Sequence, residues 1–282
     1  MALTRLYEET ELTPELRRIY TDIRYSFDLP FVPSIFKACA GVPEYLKLMW
    51  NDLGPVARSR EFQTAGLALE EFIRSLAVSD GWRFSDQQRV LAEQKFAPDD
   101  IEQFAAIVNI FARALPRMAL FARLMQRGYS GGQRGRVSSG KQISALSRLV
   151  TLHVPNERDA GLRVWLIYND IKKTTASAHV LSLLRAISPF PGYLASVWVE
   201  AKKVMREESF QLARERAAKR ALGLITGLPV RDHRNSKQVT GEQWKDIEQN
   251  VDAFARLLPQ FALLAAVWQR SFPRVRSALF AA

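Results

Sequence analysis

The sequence predicts an all-α protein: a tandem duplication of one helical unit, packed as a pseudo-dimer with approximate two-fold symmetry. Three observations predict it. Apolar residues recur at three- and four-residue steps along most of the chain. Strand-like alternation is scarce, and residues 150–154 are the one stretch open to argument. Finally, the chain repeats itself. Tyr20, Asp22, Ile23, Pro43, Tyr45, Leu46 and Trp50 are matched 148 positions on by Tyr168, Asp170, Ile171, Pro191, Tyr193, Leu194 and Trp198. The same offset links Arg58, Phe62 and Gln63 to Arg206, Phe210 and Gln211. Farther on the offset is 143, and 10 of the 17 positions from Phe111 to Arg127 recur between Phe254 and Arg270. Helical periodicity alone would match apolar residues, but not Pro, Gln, Arg and Trp at fixed spacing. A unit of this length far exceeds solenoid repeats; it is a domain joined to its own copy.

The first repeat spans 1–127 and the second 160–282. Between them, 128–159 reads as a linker, Gly/Ser/Arg-rich from Gly128 to Gly140 and without hydrophobic period. Within the first repeat, Leu16, Ile19, Tyr20, Ile23 and Phe27 place a helix over 14–27, with Thr13 as N-cap and Pro14 in its first turn. Pro30 and Pro33 interrupt; two short helices follow at 34–41 and 43–52, the second opened by Pro43. Phe62, Leu67, Leu69, Phe72, Ile73 and Leu76 mark a helix over 60–78. Pro98-Asp99-Asp100 opens another that runs to about 114, where Pro116 either starts a new helix or kinks this one.

Composition bounds the function. The chain has 282 residues, 48% hydrophobic and 24% charged, which is ordinary for a globular protein. Forty Lys and Arg against 29 Asp and Glu give a net charge of +11, a field that attracts anions. One cysteine, Cys39, cannot form an internal disulfide and sits on an apolar helix face as a core residue. The first residues lack the apolar stretch of a signal peptide, and no uncharged apolar run reaches about 18 residues. The expectation is a cytoplasmic protein with no membrane association.

Motifs that carry chemistry are few. His153, His179 and His233 have no ligand partners at helical spacing, so neither a metal nor another cofactor is expected. No phosphate-binding glycine loop and no nucleophile elbow occur. Arg127, Arg134, Arg136 and Lys141 crowd the linker, and Arg231, Arg234 and Lys237 a second loop. They read as solvated loops; nucleic-acid binding is disfavoured because no helix-turn-helix, zinc finger or aromatic interleaving accompanies them.

The repeated segments resemble the group I DL-2-haloacid dehalogenases, also described as the halocarboxylic acid dehydrogenase family. The resemblance runs through Tyr20-Thr-Asp-Ile-Arg24, Leu29-Pro-Phe-Val32, Val42-Pro-Glu-Tyr-Leu46 with Trp50, and Pro191-Gly-Tyr-Leu194, and covers most of both halves. It implies a helical pseudo-dimer with a pocket for a small carboxylate between the copies. In that family an Asp activates the water that attacks C2 and displaces halide without an ester intermediate, and an Asn supports it. Carried over by position, the Asp falls on Leu183 and the Asn on Leu115, and no Asp or Glu occurs from Ile171 to Val199. Leucine can neither take a proton nor orient water.

The resemblance also places Phe31, Ser34 and Ser182 on the pocket wall, and Arg113, with its repeat partner Arg256, beside the lost Asn. Arg113 could hold a carboxylate bidentately or serve as a surface arginine. Ser34 and Ser182 are repeat partners that could face each other, or simply cap helices. The expected function is a dehalogenase-like enzyme acting on a small 2-substituted carboxylic acid, or a similar small molecule, with chemistry altered from hydrolysis. The alternatives are a non-catalytic small-ligand-binding or interaction paralogue and a basic nucleic-acid-binding scaffold. The expected partner is a small molecule between the repeats, with room for a homo-oligomer.

Overall fold

The computed structural model describes residues 5–138 and 152–272. Lys141, the start of the 150–154 stretch and the first four residues of the N-terminus, on which some of the expectations above fall, lie outside them; residues 152–154 have no regular secondary structure. The described residues are almost wholly helical, with a single isolated bridge between Gln133 and Val230. Among the described residues eleven α-helices follow in order. They are α1 (Pro14–Phe27), α2 (Ser34–Cys39), α3 (Pro43–Arg58), α4 (Arg60–Ser79), α5 (Gln87–Glu93), α6 (Pro98–Tyr129), α7 (Leu162–Thr175), α8 (Ser182–Ala186), α9 (Pro191–Met205), α10 (Glu208–Leu224) and α11 (Gly241–Gln269). Helices α7 to α10 begin 148 positions after α1 to α4, and α11 begins 143 after α6. Helix α5 has no counterpart.

Local chemistry sets these boundaries. Thr13 caps α1 by accepting the Leu16 N–H, and Pro14 supplies the fixed φ of its first turn. Ser59 caps α4 through the Phe62 N–H, and Thr240 forms a reciprocal capping box with Gln243 at α11. Helices α1 and α7 both end on a left-handed residue, Asp28 and Ala176, and the following residue's N–H bonds back to a carbonyl of the last turn. Pro116 does not end its helix: α6 runs through it to Tyr129, and α11 runs likewise through Pro259. The segment expected as linker is in part docked. Gly128 and Tyr129 belong to α6, and Gln133 pairs with Val230. Gly132, at φ +73°, lies against this contact, where an added Cβ would meet the Val230 carbonyl at 2.8 Å.

The repeated polar motif has a structural purpose. Trp50 Nε1 donates to Asp22 Oδ2 at 2.8 Å, tying α3 to α1, and Trp198 Nε1 donates to Asp170 Oδ2 at 2.7 Å, tying α9 to α7. A cation completes each set, Arg58 on Asp22 and Lys202 on Asp170. Buried indole donors thereby keep their hydrogen bonds as the helices pack.

The long helices α6 and α11 pair along one another at the heart of a single hydrophobic core. Both are long and apolar enough to cross a membrane by length and composition, but 67% and 83% of their most apolar windows are buried inside the protein. The halves interdigitate: α2 packs on α11, and α8 packs on α6. This crossing brings the starts of α2 and α8 face to face.

Candidate functional site

Where α2 and α8 meet, the protein encloses a cavity of about 20 Å³, the room of roughly one water. Phe31, Ser34 and Ile35 line it from one side, and Leu181, Ser182 and Leu183 from the other. Phe111, Leu115 and Met118 of α6 and Phe254 and Leu258 of α11 close it. The Phe31 and Phe111 rings lie 4.9 Å apart. Most of the lining comes in pairs at the repeat offsets: Ser34 with Ser182, Ile35 with Leu183, Phe111 with Phe254, Leu115 with Leu258.

Phe31, Ser34 and Ser182, picked out from the sequence, are thus brought together, and the leucines at 115 and 183 stand on the same wall. Arg113 is not among the lining residues. On a helix turning 100° per residue it lies about opposite Phe111 and Leu115, which do line the cavity. Arg256 stands likewise between Phe254 and Leu258, is exposed, and donates to the Ala176 carbonyl at 3.2 Å.

The polar centre is Ser34 Oγ and Ser182 Oγ, 2.9 Å apart and buried. Behind them stands a residue that sequence reasoning missed. Arg185 is 0% exposed. Its Nη2 donates to Ser34 Oγ at 3.2 Å and reaches Ser182 Oγ at 3.5 Å, while Nη1 donates to the Pro155 carbonyl at 3.0 Å. Burial pulls the guanidinium below the ordinary arginine value, yet arginine starts so high that it stays charged at neutral pH. The signal that could have found it is its partner 148 positions earlier, Lys37, also buried and also basic.

No carboxylate, imidazole or thiol lines the cavity among the described residues. His179 stands behind the wall, stacked on the lining residue Phe254 with the rings 6.1 Å apart. Cys39 is buried, and burial pushes its thiol up to about 12, which keeps it a protonated core side chain. No cluster of three or more His, Cys, Asp or Glu able to hold a metal occurs among the described residues. Chemically, the site offers hydroxyls backed by a cation, inside an apolar wall.

Comparison with known proteins sets this arrangement in a family. At 25% identity, over 81% of this chain and 78% of the other, the chain is similar to an (R)-2-haloacid dehalogenase of Pseudomonas putida. A second (R)-2-haloacid dehalogenase, from Rhizobium sp. (strain NHG3), is 23% identical over 81% of this chain and 90% of its own. Among solved structures, a D-2-haloacid dehalogenase mutant in complex with D-2-CPA superposes with a TM-score of 0.87 at 22% identity, covering 95% of both chains. The fold is therefore that of these dehalogenases. The sequence profile of the halocarboxylic acid dehydrogenase DehI family matches residues 30–184, more than half of the chain and the stretch that runs from Pro30 through Ser34, Leu115 and Ser182 to Leu184. With Ser34, Leu115, Ser182 and Leu183 all inside the matched stretch and facing one cavity, the chain belongs to the halocarboxylic acid dehydrogenase DehI family.

Proposed function

We propose that this chain is a non-hydrolytic member of its family, which holds a small 2-substituted carboxylic acid or a molecule of similar size between two duplicated halves and does not displace halide from it. One observation carries the reading: among the described residues, the only side-chain oxygen or nitrogen atoms on the cavity wall are the hydroxyls of Ser34 and Ser182. Hydrolytic displacement needs a base within hydrogen-bond reach of the attacking water. At the positions where the resemblance puts that base and its helper stand Leu183 and Leu115. A cavity of about 20 Å³ must open to admit a ligand of several heavy atoms. Met118, unbranched and adaptable, is the wall residue suited to give way.

The test is to titrate the purified chain with each enantiomer of 2-chloropropionate by calorimetry while chloride is measured by ion chromatography. Saturable binding without chloride release is the expected result. Chloride release at enzymatic turnover would overturn the loss of hydrolysis, and absence of binding by both enantiomers would overturn the ligand site. An altered catalytic chemistry is a second reading, favoured by His179 against the pocket's Phe254. It requires a product other than the hydroxy acid, formed by the wild type and lost in His179→Ala.

A further inference from the structure

We propose that the exposed face shared by α7 and α9 seats the protein on a bilayer surface bearing anionic headgroups, with Trp165 and its leucine neighbours at headgroup depth and Lys173 and Lys203 on the lipid phosphates. None of these residues lines the cavity, so the inference stands apart from the pocket reading.

Apolar exposure is concentrated on this face. Leu162, Trp165 and Leu166 are each at least half exposed, Leu162 by 75%. They stand three and four residues apart and so form one stripe on α7. Val199 is exposed as well, on α9, the helix packed against α7. The corresponding positions of the first half are Pro14, Arg17, Arg18 and Asn51. Arg18 and Asn51 line one cleft between α1 and α3. Trp198 and Asp170 join α9 to α7 as Trp50 and Asp22 join α3 to α1, so Leu166 and Val199 share a face likewise. The polar cleft of one half is an apolar surface in the other. A contiguous exposed patch of this kind marks contact with a protein or a membrane.

Charge decides between the occupants. Residues 157–206 carry eight Lys and Arg against four Asp and Glu, whereas the matching residues 9–58 carry six against seven. Three of the four acids are engaged: Glu157 pairs with Lys172, Asp170 with Lys202, and Glu200 accepts the Ser85 N–H. Arg163, Lys173 and Lys203 are exposed and have no ion pair among the described residues. Lys173 lies two turns beyond Leu166 on the same stripe of α7, and Lys203 one turn beyond Val199 on α9. A second copy laid on this face across a two-fold axis would bring these cations toward their own images. An anionic lipid surface takes both parts at once, the indole and leucines at the headgroup boundary and the lysines at the phosphates. A long uncharged apolar run is needed to span a bilayer but not to lie on one, so its lack in the sequence speaks only against spanning.

The full-length chain tests this by co-sedimentation with vesicles of phosphatidylcholine alone and of phosphatidylcholine mixed with phosphatidylglycerol, the acyl chains being plain or brominated. Trp165 is the one exposed tryptophan, the other five being at most 7% exposed, so quenching by brominated chains reports its depth. The expectation is roughly 10-fold tighter binding to the mixed vesicles, with quenched tryptophan emission. Leu166→Arg combined with Val199→Asn installs the first half's residues at exposed positions and adds a positive charge; it is expected to weaken binding roughly 10-fold. Adsorption driven only by the net charge of +11 would be unchanged or stronger in that variant, and such a result overturns the proposal. Lys173→Glu combined with Lys203→Glu is expected to remove the preference for the anionic vesicles. Failure of the wild type to bind mixed vesicles, or binding without quenching, overturns it too. So does a dimer in sedimentation equilibrium that Leu166→Arg with Val199→Asn dissociates, if vesicles are not bound, because the face then belongs to a second copy. The wild-type measurements decide even if a variant fails to fold.

Discussion

The two ends of the Ser34–Ser182 contact are built from corresponding parts with different electrostatic balance. On the first-half side Lys37 is buried beside a carboxylate, Glu8. On the second-half side Arg185 is more deeply buried and stands beside Asn156's neighbour, the Pro155 carbonyl. At one end a carboxylate is in direct contact with the cation; at the other the groups that touch Arg185 are neutral, and Glu157 and Glu8 act on it only at longer range. The difference teaches that helices at one sequence offset can share their boundaries and core positions while the charge match beside them differs, and that the cation without a touching carboxylate is the one at the pocket.

The sharpest way to break this comparison is to remove each cation in turn. Lys37→Met leaves Glu8 without its partner in a largely buried place, and we expect a loss of about 2–4 kcal/mol, discounted for the exposure Glu8 retains. Arg185→Met removes a charge that has no ion pair, and its cost is expected to stay below about 1 kcal/mol despite three lost hydrogen bonds. Urea denaturation of the two variants checks it. Equal losses would mean that Arg185 is already compensated within the fold.

Much of this was legible in the sequence and some was not, for identifiable reasons. The helices follow from spacing and caps: Thr13, Pro14, Pro43 and Pro98 open α1, α3 and α6 as the pattern predicts. Pro116 could not be resolved by local rules, because a buried proline is tolerated when packing on both sides of a long helix outweighs one lost backbone bond. The 148-residue offset foreshadowed the Ser34–Ser182 contact. Arg113 falls outside the cavity lining because nearness in sequence to Leu115 is not nearness in space: two positions along a helix differ by about 200°. Arg185 escaped notice because apolar periodicity says nothing of charge balance. It emerges only when Lys37 is compared with Arg185 and Glu8 with Asn156.

Acid sharpens the comparison at a smaller scale, since each half keeps a carboxylate held below its ordinary value. In the first half the hydrogen bond from Arg24 does this for Glu9, and in the second the hydrogen bond from Lys202 does it for Asp170. At Asp52, burial pushes the carboxyl up, but the hydrogen bonds from His233 and the Arg231 N–H outweigh it. All three are depressed on folding, so the unfolded chain binds protons first as the pH falls. Their stabilisation is present above the ordinary carboxylate range of about 4 and is lost as the pH drops through the folded values. Denaturation midpoints at neutral pH and down the acid limb should decline, with a shallower decline in both Glu9→Gln and Asp170→Asn. A decline changed in only one of the two variants would show that the halves are unequal in acid as well as in buried charge.

The smallest effect concerns the matching ends of α1 and α7. Asp28 and Ala176 both adopt left-handed conformations, at φ 51° and 48°. A Cβ in that region meets the following carbonyl, costing roughly 1–2 kcal/mol for an ordinary residue, while aspartate tolerates it through local hydrogen bonding. Glycine removes the strain but gives the unfolded chain more freedom, which cancels part of the gain. Ala176→Gly is therefore expected to stabilise by about 0.5 kcal/mol, with Asp28→Gly near zero or below. The Ala176 carbonyl also accepts from Arg256 on α11, so relief at this turn should leave that contact in place. A melting temperature raised by Ala176→Gly and not by Asp28→Gly would show that the second copy tolerates backbone strain where the first chose a residue suited to it. Equal shifts would place the two turns on the same footing and leave the halves divergent in the charges around Arg185.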